Sequence, residues 1–127
     1  MESIRLEVET RENQGLPVIA VKGEIDVYTV PMFKRAISEA IDKGSRHLLI
    51  DLTHVTYMDS SGFGTLLGAT KRLRSSGGSL SLIGPNEVIA RMLKITRLDT
   101  IFAIYNTEAE AIDGVAKAAE KKPSSSE

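Results

Sequence analysis

Asp59-Ser60-Ser61-Gly62-Phe63-Gly64 crowds an acid, two hydroxyls and two glycines into one turn, ahead of a segment with helical spacing. A serine at a helix start ordinarily caps it, because its oxygen accepts a hydrogen bond from a backbone N–H with no partner inside the helix. The same place favours added negative charge, since free N–H groups and the helix dipole point outward. Ser60 and Ser61 are therefore read in two ways, as caps or as acceptors of a phosphoryl group. Asp59 is itself a good capping residue, so the serines are not needed for that purpose. Gly62 and Gly64 each lower helix propensity by about 1 kcal/mol relative to alanine. Their missing side chains allow either close approach of a partner or phosphate, or tight packing of helix on sheet; Gly68, further along, suits the packing reading.

Other chemistry fits the residues less well. Met58 stands where the first glycine of a G-x-S-x-G elbow belongs, and His47 and His54 are the only histidines that could serve a serine nucleophile. Gly62-Phe63-Gly64 lacks the G-x-x-x-x-G-K-[ST] pattern of a phosphate-cradling loop. No His, Asp or Glu residues pair at helical spacing for a metal. Asp51 invites comparison with the phospho-accepting aspartate of receiver domains, but Phe102-Ala103-Ile104-Tyr105-Asn106 lacks the lysine those domains carry after their last strand. Asp26, in Gly23-Glu24-Ile25-Asp26, reads either as a solvated loop acid or as a companion to Asp59 that offers a partner a fixed acceptor.

The elements that position these residues follow from periodicity. Ile4, Leu6 and Val8 alternate with Arg5, Glu7 and Glu9, the period of a half-buried strand. Asn13-Gln14-Gly15 reads as a turn into a second strand through Leu16 to Val21, which pairs antiparallel with the first. Thr29-Val30-Pro31 opens a helix with its apolar face at Val30, Phe33, Ile37, Ala40 and Ile41. The apolar run from His47 to Leu52 predicts a strand covered on both faces, and Thr53 to Met58 a loop. The serine-bearing helix buries Phe63, Leu66, Leu67 and Leu73 and stops at Gly77-Gly78. A strand at Leu80 to Ile83, a helix burying Val88, Ile89, Met92 and Leu93, and a strand at Ile101 to Ile104 complete the alternation. Thr107-Glu108-Ala109-Glu110 has capping-box spacing and starts a final helix using Ala111, Ile112, Val115 and Ala119.

This order predicts an α/β fold: a mostly parallel central sheet, an N-terminal antiparallel hairpin and about four helices. Sites in such sheets lie at the carboxyl ends of strands. Asp26, the Asp59 to Gly62 turn and Pro85-Asn86 are therefore expected on one rim.

With 127 residues, 42% of them hydrophobic, the chain suits a single core, placed at residues 1–118. Residues 119–127, ending Pro123-Ser124-Ser125-Ser126-Glu127, have little to bury and are expected to form a disordered tail. A net charge of -1 argues against direct nucleic-acid binding. Zero cysteines exclude disulfides and thiolate chemistry. No apolar run approaches the roughly 20 residues that span a bilayer, so no membrane association and a cytoplasmic location are expected.

Gly23-Glu24-Ile25-Asp26-Val27-Tyr28, Val55-Thr56-Tyr57-Met58-Asp59-Ser60-Ser61-Gly62-Phe63-Gly64 and Gly77-Gly78-Ser79-Leu80 resemble the bacterial anti-sigma factor antagonists, the single-domain STAS proteins. The resemblance covers about Ile4 to Gly114, and M-D-S-[ST]-G-[LF]-G is its specific signature. It implies a STAS-like fold and a regulatory protein rather than an enzyme. The unphosphorylated antagonist binds an anti-sigma factor that is also a serine kinase, and so frees the sigma factor. The kinase consumes ATP, so the antagonist needs no cofactor of its own. Phosphorylation of the first serine, which maps onto Ser60 with Ser61 as the fallback, releases the complex; a serine phosphatase reverses it. Asp26, Asp59, Ser61 and Gly62 map onto the partner-binding surface. A STAS scaffold or stressosome-like subunit without anti-sigma binding is the alternative. Phe63 stands where relatives often have leucine, and Arg97 where they commonly have glycine, which implies a differently shaped helix end.

Overall fold

Leu6 and Val8 turn inward from the first strand while Glu7 and Glu9 face water, so the alternation read in the sequence is the alternation of the sheet. The computed structural model describes residues 5–121; Ile4 and positions 122–127 of the expected tail lie outside them. β1 (Leu6–Asn13) and β2 (Leu16–Ile25) form the antiparallel hairpin, in register from Leu6 opposite Gly23 to Asn13 opposite Leu16. Gln14 and Gly15 both take positive φ, 54° and 81°. That is the backbone of a type I′ turn, whose twist matches the strands it joins.

α1 (Val30–Asp42), β3 (His47–Met58), α2 (Ser60–Ser75), β4 (Ser79–Ile83), α3 (Glu87–Ile95), β5 (Ala103–Tyr105) and α4 (Glu108–Lys121) follow, in the sheet order β1-β2-β3-β4-β5. Every pairing after the hairpin is parallel, as alternating strands and helices require. The larger core lies between the sheet and the buried sides of α1, α2 and α3; a smaller one, around Val18, Leu49, Ile83, Ala111 and Ile112, lies under α4.

Several elements depart from their sequence reading. The expected loop at Thr53 to Met58 is strand, because Val55 and Met58 are buried and β2 pairs with it up to Ile25 opposite Met58. β4 stops at Ile83 opposite Asp51, so β3 runs on to Met58 with only β2 beside it. Asp51 thus lies in mid-strand, its carboxylate accepting from the N–H and hydroxyl of Thr53 at 3.0 and 2.6 Å. Coverage on both faces ends there too: α4 spans only part of the sheet, and Glu7, Glu9, Lys22 and His54 face solvent. The last strand is shorter and later than expected, because Leu98–Thr100 turn as a 3-10 helix before it. Val88 and Met92 of α3, and Ala119 of α4, are exposed rather than buried. α4 itself continues to Lys121.

Arg97 follows the end of α3 with φ 65° and ψ 16°, the left-handed conformation that a glycine would adopt freely. The helix end therefore keeps a glycine-like shape despite its β-carbon. Arg97→Gly is expected to raise stability by about 1 kcal/mol, read as a higher denaturant midpoint with an unchanged slope.

α4 is clamped to the hairpin through its first residue. Arg11 donates to both oxygens of Glu108, at 2.8 and 2.7 Å, and the Asn13 amide adds a bond of 2.6 Å. Arg11 foremost holds the Glu108 carboxyl at about 2, against the cost of burial. The folded value lies below the unfolded one, so the stabilisation is full above about pH 4.5 and lost as pH falls toward 2. It amounts to on the order of 2 kcal/mol, since Arg11 is partly in water. In thermal melts, the gap between the native protein and Glu108→Gln is expected to close across that window.

Candidate functional site

Asp59, the residue after β3, caps α2. Its backbone is extended, as at an N-cap (φ -97°, ψ -174°), and its side chain accepts from the Ser61 N–H at 2.9 Å. The Ser61 hydroxyl donates to the same carboxylate oxygen. The Gly62 and Phe63 N–H groups point to the Asp59 carbonyl, at 3.0 and 3.3 Å. The N–H groups of Ser61, Gly62 and Phe63 are thus spent on Asp59, while that of Ser60 has no partner among the described residues. The Ser61 hydroxyl, then the N–H groups of Ser61, Gly62 and Val27, overcome partial burial and hold the Asp59 carboxyl below its ordinary range.

The two serines are thereby separated. Ser61 is half-buried and bound to Asp59; Ser60 is exposed, and among the described residues its hydroxyl has no hydrogen-bond partner. A cap role for Ser60 does not survive this geometry.

Asp26 stands beside this turn. The Asp59 N–H donates to the Ile25 carbonyl at 3.0 Å, extending the β2–β3 ladder one step past the strand. Neighbouring strands lie about 4.8 Å apart, so Asp26 and Asp59 leave the sheet side by side. Asp26 is buried, however. Its carboxylate accepts from the N–H groups of Tyr28 and Thr29, at 2.9 and 3.0 Å, and pairs with Arg5, which also reaches Glu24 at 3.3 Å. Burial opposes its ionisation, but the Thr29 and Tyr28 N–H groups and Arg5 prevail, and its carboxyl lies below the ordinary range. Asp26 thus shapes the loop into α1, with its own oxygens already engaged.

Asn86 caps α3 by accepting from the Ile89 N–H at 2.8 Å, and its amide donates to the Val55 carbonyl at 3.2 Å. Val55 lies about 10 Å down the strand from Met58. The three expected segments therefore share one rim, with the α2 start raised on the overhang of β3.

The glycines divide. Gly62 is buried: a β-carbon there would lie 2.5 Å from Met58 Cγ and 2.9 Å from Ile25 Cγ2. Its absence of side chain serves helix-on-sheet packing, and it faces away from any partner. Gly64 and Gly68 have nothing within 4 Å of the same position. They line an open groove of about 510 Å³ between α1 and α2, bounded by Lys34 and Arg72 and reaching Ser61.

Sequence reasoning missed the apolar surface of the rim. Val27 and Tyr28 are exposed by 60% and 82%, and Tyr57, opposite Glu24 near the end of β3, by 52%. The signal was present in Val27-Tyr28, a large apolar pair placed in a loop, where no helical or strand period gives it a core to fill. Arg5, the partner of Asp26, carried no such signal.

Residues 7–111 match the family model described as STAS domain. The chain belongs to the STAS domain family. This STAS domain is 40% identical over 108 residues to the anti-sigma-B factor antagonist of Listeria monocytogenes, covering 85% of this chain and 94% of that one. Its fold is similar to the crystal structure of an anti-sigma factor antagonist from Mycobacterium paratuberculosis, with TM-score 0.81 and 27% identity over 87% and 94% of the two chains. It is also similar to the anti-sigma factor antagonist SpoIIAA. The unphosphorylated form gives TM-score 0.76 at 26% identity, covering 87% and 97% of the chains. The phosphorylated form, from Bacillus, gives 0.70 at 28%, covering 86% and 99%. The overall architecture of the STAS domain is thus as its sequence led us to expect. Among the described residues, no helix is long and apolar enough to cross a membrane.

Proposed function

We propose that this STAS domain is an anti-sigma factor antagonist switched by phosphorylation of Ser60. The observation that carries the reading is the contrast between the serines: one hydroxyl is tied to Asp59, and the other stands alone on an exposed, partly apolar rim. The names of its relatives, and the existence of SpoIIAA in phosphorylated and unphosphorylated forms, support it.

In this mechanism the unphosphorylated rim is the binding surface. Val27, Tyr28 and Tyr57 supply apolar contact area, and Asp59 a fixed charge beside Ser60. A serine kinase, itself the anti-sigma factor, brings ATP and transfers its terminal phosphoryl group to the Ser60 oxygen; the serine proton leaves to solvent or to the kinase. The added group carries about -1.5 to -2 charges. Asp59 has taken the Ser61, Gly62 and Phe63 N–H groups, so within its own helix turn the added group meets only the Ser60 N–H, and most of its charge faces the partner. Repulsion and bulk then release the complex, the sigma factor is recaptured, and a serine phosphatase restores the rim. The protein catalyses no step itself.

Incubation with the cognate kinase and ATP tests this assignment. Mass spectrometry of proteolytic fragments is expected to place one phosphate on Ser60 and none on Ser60→Ala. A phosphate that persists in Ser60→Ala, on Ser61, would overturn the assignment.

A further inference from the structure

β1 is an edge strand whose outer side is unpaired. Gln14 and Gly15 close a two-residue turn, so Asn13 and Leu16 form a hydrogen-bonded pair, and every second residue along the strand repeats it. The Glu24 N–H, donating to the Arg5 carbonyl at 2.8 Å, marks the same phase. The odd-numbered residues of β1 therefore bond to β2, and the backbone groups of Val8, Thr10 and Glu12 point away from the sheet. Among the described residues nothing meets them. β1 carries neither the proline nor the bulge that commonly guards such an edge.

The order of side chains along β1 selects the occupant. Antiparallel pairing with a second copy sets each outward residue opposite another outward residue. A twofold axis at Val8 brings Glu7 against Glu9; an axis at Glu9 or at Arg11 sets that residue against itself. Like charges directly opposite are destabilising. Of the axes near the middle of the strand, the one at Thr10 avoids this. It sets Glu9 opposite Arg11 of the second copy, Glu7 opposite Asn13, and Thr10 opposite its twin, a pair that suits a sheet. Arg11 keeps donors for Glu9, since Glu108 takes two of its five.

The other face of β1 agrees with this register. α1 and β1 border a shallow groove of about 250 Å³ lined by Val8, Thr10, Met32, Arg35, Ala36 and Glu39. Met32 is half exposed, and Arg35 and Glu12 are exposed with no ion partner among the described residues. An axis at Thr10 brings Glu12 of the second copy opposite Val8, on the face where Arg35 stands.

We propose that β1 pairs antiparallel with β1 of a second copy about a twofold axis at Thr10, joining two five-stranded sheets into one. The rim lies toward the far end of β1, where Leu6 is opposite Gly23. Both rims therefore stay open and point away from each other, and the pairing does not rest on the Ser60 reading.

Sedimentation equilibrium of the full chain tests it, with a dimer Kd expected on the order of 0.1 mM. Thr10→Pro removes an outward N–H that β2 does not use, so it should keep the native circular-dichroism spectrum and stay monomeric at about 1 mM. Glu9→Arg sets arginine against Arg11 and should weaken the dimer about tenfold; it decides alone if the proline variant loses its fold. The chain has no cysteine, so single replacements report the register. Under mild oxidation Thr10→Cys, its α-carbon about 5.5 Å from its twin, should form an intermolecular disulfide; Val8→Cys, about 14 Å from its own, should not. A native chain that stays monomeric at about 1 mM, undiminished dimerisation in Glu9→Arg or in folded Thr10→Pro, or cross-linking of Val8→Cys as fast as Thr10→Cys would overturn the proposal.

Discussion

Stoichiometric phosphorylation of Ser60 is expected to weaken binding to the anti-sigma partner more than about 100-fold, while the melting temperature of the free protein stays nearly constant. The first effect corresponds to about 3 kcal/mol at an interface. Two acidic groups already sit at the rim, and the phosphate joins them on the exposed side, where a docked partner must exclude water. The second effect follows from the cap: Ser60 contributes no hydrogen bond whose loss the fold would register. Titration calorimetry and thermal melts on the two forms measure these together. Retained affinity would sink the switch; a collapse in melting temperature would show that phosphate acts by unfolding the turn instead. Ser60→Ala is expected to bind like the unmodified protein and to ignore ATP.

Gly62→Ala and Gly64→Ala, two residues apart, are expected to move stability in opposite directions. The added carbon at position 62 collides with Met58 and Ile25 beneath α2, and overpacking of this kind costs about 1–3 kcal/mol. At position 64 it meets nothing, so replacing a helix-interior glycine gains up to about 1 kcal/mol. The outward substitution should nonetheless lower affinity for the anti-sigma partner, because it fills the groove beside Ser61. Denaturant titration separates the pair. Equal destabilisation by both would mean that α2 packs differently from the arrangement described; unchanged partner affinity in Gly64→Ala would remove the groove from the interface.

The legible parts of this molecule were those with strong local signals. Leu6 and Val8 alternate cleanly, and strands and helices follow one another, so the hairpin and the parallel sheet could be read before any coordinates. The Asp59 to Gly64 turn was legible as a site because its residue types exceed what a helix start needs. Which serine does what was not legible, since the answer depends on a carboxylate oxygen reaching Ser61 rather than on spacing. The stretch from Thr53 to Met58 looked like a loop because Thr53, His54, Thr56 and Tyr57 dilute its apolar content; pairing with β2 on one side alone makes it a strand. Val88 and Met92 fit the helical period of a core face, but the face that α3 buries is centred on Ile89 and Leu93, and Val88 and Met92 lie to one side of it. Asp26 was visible as an acid in the right place, and its occupation by Arg5 and two N–H groups was invisible, because Arg5 lies across the hairpin.

The cap formed by Asp59 also bears on time rather than affinity. Because Asp59 takes the N–H groups of Ser61, Gly62 and Phe63, the first α2 turn leaves a phosphate on Ser60 no cradle beyond the N–H of Ser60 itself. A phosphoryl group so placed stands exposed, with little of the fold wrapped around it. In the proposed switch, the lifetime of the modified state is then set mainly by the kinase and phosphatase that act on it. The same domain could serve a response lasting seconds or one lasting hours without any change in its own sequence.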